Sequence, residues 1–246
     1  MPLLLQFGLV ATWCGLGVVC LMLTAAAWGC WPATPPTPRT GATSRHAHHP
    51  IVWVLLVAYG LNAAGLVPHM VFLVDFVARY LHRGLAAGAG YWVAFGLGAM
   101  AGPLLAGMLA DRVGFRTALR VAFLLQAGAV ALPAVTDAPA WLLVSSIVTG
   151  AFTPGIVPLA LGRVHELLPG DPVAQRLVWG RTTMAWALFQ AGSAYLYSWL
   201  FSRTGDYPLL FACGAAALLL ALASDLAAGR LRTSPQADST RASSTA

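Results

Sequence analysis

The chain has 246 residues, of which 59% are hydrophobic and only 9% charged, and its formal net charge is +6. Soluble domains carry ~25% charged residues, so this composition excludes a water-soluble enzyme, a coiled coil and a disordered chain. All 14 basic residues are Arg, which rules out lysine Schiff-base chemistry. They fall in the breaks between apolar runs, a pattern that orients a chain in a bilayer and does not mark a nucleic-acid surface.

Apolar runs long enough to cross a bilayer, at ~20 residues per helix, lie at 2–28, 51–77, 85–110, 115–135, 140–161, 182–201 and 207–228. The reading is an all-α, polytopic membrane protein of about seven transmembrane helices. The first run has no basic segment ahead of it and exceeds the ~7–15 apolar residues of a secretory signal, so residues 1–31 are taken as a span. A stretch rich in Pro, Thr and His follows at 32–50. His46, His48 and His49 have no acidic or Cys partner nearby, so this stretch reads as a solvated loop and no metal site is expected. Cys14, Cys20, Cys30 and Cys213 lie in or beside apolar runs without CxxC spacing, and read as buried thiols. No cofactor is expected. Residues 51–229 form a block of six helices with mostly short connections. The polar segment 230–246 reads as a disordered cytoplasmic tail.

With loops on alternating sides, Arg39, Arg45, Arg112, Arg116, Arg120, Arg163, Arg176, Arg181, Arg230, Arg232 and Arg241 share one side. Arg79, Arg83 and Arg203 take the other. The positive-inside rule then puts the C-terminus in the cytoplasm and the N-terminus outside, in a multi-pass protein of the cytoplasmic membrane.

The break after the third run carries Gly107, Leu109, Ala110, Asp111, Arg112, Gly114 and Arg116. This resembles the G-x-L-A-D-R-x-G-R signature of the major facilitator superfamily. Gly107 allows close helix approach and Gly114 a tight turn. Asp111 can face a helix N-terminus, while Arg112 and Arg116 supply ion pairs. Phe115 departs from the basic residue usual there. The stretches 68–79 and 88–98 are similar to the YbfB/YjiJ group of that superfamily.

The resemblance implies a 6+6 helix fold of which this chain carries the carboxy-terminal half. Residues 1–31 are then the last helix of the amino half and 32–50 the central cytoplasmic loop. It also implies a secondary active transporter, with a small-molecule solute, H+ as the expected coupling ion, the lipid bilayer and a missing amino-terminal half as partners. No enzyme is expected, since the loops carry no acid pair, HExxH or nucleophile–base cluster. On this expectation the chain does not transport by itself. A self-contained seven-helix receptor or sensor is the competing reading. The signature and the layout of one helix followed by six argue against it.

Polar residues inside spans are expensive and are functional candidates by default. Asn62, ~16 Å along its helix from Ile51, reads as a solute contact or as an interhelical hydrogen bond. His69, one heptad on, has a pathway or protonation role or packs near the outer boundary. Asp75 with Arg79 at i+4 is a local ion pair or a proton site. Ser145, Thr149 and Thr153 either line a cavity or bond back to their own helix. Gln190 lines the cavity or meets the other half, while Gln126 reads as structural. Pro68 is expected to kink its helix, and Pro154 to interrupt another.

Overall fold

The structure is a computed structural model that describes residues 8–29 and 50–231. The chain divides into two units, Met1–Gly41 and Ala42–Ala246. In the first, α1 (Leu9–Trp28) is an apolar helix with no acidic first turn and no basic last turn. Among its described residues the second holds six helices: α2 (Pro50–Tyr80), α3 (Gly84–Val113), α4 (Phe115–Val135), α5 (Pro139–Leu167), α6 (Pro172–Thr204) and α7 (Tyr207–Leu231). Most of the 32–50 loop, with its histidines, and the tail beyond Leu231 lie outside the described residues.

Six of these seven helices are long and apolar enough to cross a membrane. The exception is α6, where the run 182–201 was expected to span. At 33 residues it is ~50 Å long, ample for a bilayer. Arg176, Arg181, Thr182, Thr183, Gln190 and Ser193 dilute its apolar content below that of the others.

The helices also overrun the apolar runs. The expected break at 163–181 shrinks to 168–171 because polar turns extend both α5 and α6. Asp171 caps α6, its carboxylate accepting from Ala174 N–H at 2.9 Å, with Pro172 in the first turn. That is an ordinary N-terminal signal. Pro154 and Pro158 sit inside α5 without ending it. Pro68 leaves a deeper mark. The stretches Pro68–Phe72 and Phe76–Tyr80 of α2 are wound as π-helix, with Leu73–Asp75 between them.

Small residues set the packing. Without a hydrophobic drive between helices in lipid, close backbone approach supplies the contact energy. At the α3–α5 crossing, a Cβ on Gly98 would overlap the Ile147 carbonyl, one on Gly102 the Ala151 carbonyl, and one on Gly150 the Phe95 carbonyl. The Gly98-x3-Gly102 spacing therefore marks a backbone-to-backbone seam. Gly90 and Gly96 on the same helix face open space. Gly65 of α2 and Gly214 of α7 make a second crossing, each 2.8 Å from the other's carbonyl oxygen once a Cβ is added. At one end of the bundle, Arg83 Nη2 donates to the Asp137 carbonyl at 2.6 Å, tying the α2–α3 connection to the α4–α5 connection.

Candidate functional site

The signature residues gather at the opposite end of the bundle. Gly107 is half-buried on α3, and Asp111 and Arg112 are exposed in its last turn. Gly114 alone joins α3 to α4, with φ 78° and ψ 155°, a backbone region that side chains bearing a Cβ rarely adopt. Its N–H closes α3 on the Ala110 carbonyl, and its carbonyl accepts from Ala118 to open α4. Arg116 follows, half-buried in the first turn of α4.

A partner invisible in the motif completes this corner. Glu166 at the end of α5 accepts from Phe115 N–H at 3.2 Å through Oε1, and from Arg163 Nη1 at 2.8 Å through Oε2. The carboxylate thereby caps the N-terminus of α4 while neutralising a buried arginine. The Phe115 ring lies over Gly162, where any Cβ would overlap it. The unusual Phe thus replaces a charge with a packing contact. Next to it, Arg120 of α4 bonds Asp225 of α7 at 2.5 Å.

A polar seam runs through the interior between α2, α4 and α5. Asn62 is fully buried and donates to Gln126 Oε1 at 2.8 Å, and Gln126 Nε2 donates to the Ala122 carbonyl at 3.1 Å. His69, also fully buried, has Nε2 2.6 Å from Ser145 Oγ. That hydroxyl in turn donates to the Ala129 carbonyl at 2.6 Å. Thr149 is buried one turn along α5, and its backbone carbonyl accepts from Thr153 Oγ1. Asn62 Oδ1, His69 Nδ1 and Thr149 Oγ1 have no hydrogen-bond partner among the described residues. Three such atoms in one buried seam are unusual.

Toward the far end of α2, Asp75 Oδ1 pairs with Arg79 Nε at 2.8 Å. Its other oxygen accepts from the Tyr207 hydroxyl, which joins α2 to α7. The aromatic cluster of Phe76, Tyr80, Phe201, Tyr207 and Phe211 packs around this contact.

Gln190 lies elsewhere, in an open groove of about 430 Å³ along the α2–α6 seam, lined by Met70 and Val71 of α2, Trp92 of α3, and Ala187 and Ala194 of α6. Its Nε2 approaches Met70 Sδ at 3.4 Å, a weak acceptor that leaves the amide ready for a better partner. A second groove of about 330 Å³ lies nearer the Gly114 end of the same seam, between Trp53 and Leu56 on α2 and Arg181 and Leu188 on α6. Between the two, the Phe189 ring rests where a side chain on Gly60 would be, 2.7 Å from an added Cβ.

Residues 1–226 match the family model described as Uncharacterised MFS-type transporter YbfB. The chain belongs to this family. It is therefore a multi-pass membrane transporter of the major facilitator superfamily, and a small-molecule solute and the bilayer are its partners. No curated protein matches the chain. In the transporter, the candidates read from sequence fall into four places. The motif residues hold one end, Asp75 and Arg79 the other, Asn62, His69 and Thr149 the interior seam, and Gln190 a groove at the surface. Sequence reasoning passed over Glu166, Met70, Trp92, Phe189 and the Arg120–Asp225 pair. The lone Glu of the chain, set at the end of a span, was the one signal that could have drawn attention to the first.

Proposed function

We propose that the transporter is a secondary carrier working by alternating access and coupled to an ion gradient, with H+ as the ion. Its solute is small and largely uncharged, and its path runs along the α2–α6 seam. The observation that carries this reading is the Gln190 groove, whose lining has one polar side chain and no charge. Such a surface suits an apolar body with a hydrogen-bonding group. In this reading the six-helix amino-terminal half closes the groove from its open side, as the repeat architecture of such carriers suggests. The Phe189 ring on Gly60 is the barrier between the two grooves.

The Gly114 end gathers Arg112, Arg116, Arg120, Arg163, Arg176 and Arg181, which supports placing it in the cytoplasm with the N-terminus outside. Asp111, exposed there, serves as a latch on that face when the path opens outward. Asn62 and Thr149, behind the groove, move with their helices and do not touch the solute.

Uptake by membranes carrying the complete transporter tests both assignments. Gln190→Leu removes one hydrogen bond worth about 0.5–1.5 kcal/mol, so KM should rise about two- to thirteenfold. Asp111→Asn should instead lower the maximal rate and leave KM unchanged. A Gln190→Leu variant with wild-type KM refutes the path.

A further inference from the structure

We propose that Nδ1 of His69 is the proton-accepting atom of the six-helix unit. The assignment rests on the reading of the transporter as an H+-coupled carrier with its solute path at the Gln190 groove.

Hydrogen-bond direction fixes the ring. Ser145 has one hydroxyl proton, and it goes to the Ala129 carbonyl. The 2.6 Å contact between His69 Nε2 and Ser145 Oγ must then be a donation from Nε2–H. A neutral imidazole with its proton on Nε2 carries its lone pair on Nδ1, the atom that finds no partner among the described residues. The ring cannot swing freely, because it also packs edge-on against Phe211 at 5.2 Å.

Position makes the lone pair useful. Every carboxylate and arginine among the described residues lies in the outer third of its helix or in a connection. Around this part of α2, the packed elements present Tyr91 from α3, Tyr197 from α6, and Tyr207 and Cys213 from α7. On α2 itself Asp75 is already paired with Arg79 and Tyr207. The other ionisable side chains of α3, α4 and α5 lie nearer the helix ends.

Uptake of H+ from water by the Nδ1 lone pair gives an imidazolium whose second N–H has no acceptor in the closed bundle. The charged form therefore favours a conformation in which that N–H meets water or another acceptor. His69 shares its π-wound segment, Pro68–Phe72, with Met70 and Val71, which line the solute groove. π-Helical turns recur at functional sites. The same few residues thus feel both proton and solute, the requirement for coupling.

The test follows the full chain, ¹⁵N-labelled at histidine, in lipid nanodiscs by ¹⁵N NMR from about pH 8 to about pH 5. His69→Gln identifies the ring by deleting its signals, and if that variant does not fold, the signals shifted by Ser145→Ala assign it. At the alkaline end Nε2 should carry the proton and Nδ1 be bare, and Ser145→Ala should convert this single tautomer into a mixture. On acidification Nδ1 should gain a proton while the protein stays folded by circular dichroism. A bare Nε2 at the alkaline end, or an Nδ1 that stays bare until unfolding, overturns the assignment. No solute is present, so this result and the KM of Gln190→Leu can fail independently.

Discussion

Gly102→Val should remove the folded transporter from the membrane. The Cβ would overlap the Ala151 carbonyl and adjoining backbone, so no rotamer change relieves it and the α3 and α5 axes must separate. Overpacking by side chains alone costs about 1–3 kcal/mol. Pushing backbone from backbone also breaks up the Gly98 and Gly150 contacts along the same seam. Against a total stability of about 5–15 kcal/mol, a loss of that kind leaves little native protein. Gly96→Val is the matched control, because nothing lies within 4 Å of its added Cβ. Size-exclusion profiles of detergent-solubilised protein should show a monodisperse peak for Gly96→Val and aggregate for Gly102→Val.

Breaking the Arg120–Asp225 pair should have the next largest effect. Arg120 Nε lies 2.5 Å from Asp225 Oδ2, and its Nη2 donates to the Asp225 carbonyl at 3.1 Å. The two side chains are 25% and 10% exposed, so neither charge is well solvated. Removing one partner of such a pair costs about 3–5 kcal/mol, whereas replacing both with apolar residues is often close to neutral. Arg120→Leu should therefore lower the thermal midpoint in bicelles substantially, and Arg120→Leu combined with Asp225→Leu should recover most of the loss. If the double substitution is as damaging as the sum of the singles, the pair is not the source of the stability.

The helices were legible because a bilayer imposes a length and an apolarity that few other settings require. Their ends were not. Residues 163–167 and 172–181 are helical but polar, and an apolar-run reading stops where hydrocarbon stops, not where backbone hydrogen bonding stops. The transporter signature was legible because Gly114 must adopt a positive φ and Asp111 and Arg112 fall at a helix end. Its partner Glu166 was hidden, since the two segments meet only once α5 packs against α4. The interior polar residues show the limit most clearly. Asn62, His69 and Gln190 look alike in sequence, each a polar group in a span. Only helix rotation turns Asn62 toward Gln126, His69 toward Ser145 and Gln190 toward an open groove.

Alternating access at the α2–α6 seam is tested most directly by thiol labelling at position 190. In the transporter with its native cysteines replaced by serine, Gln190→Cys and Gln126→Cys are exposed separately to a membrane-impermeant maleimide. Right-side-out and inverted vesicles present the two faces in turn. A path that opens alternately to each side predicts that Gln190→Cys is labelled in both preparations, and that Gln126→Cys, buried in the bundle, is labelled in neither. Protection of position 190 in both preparations, or equal labelling of the two positions, would contradict the account.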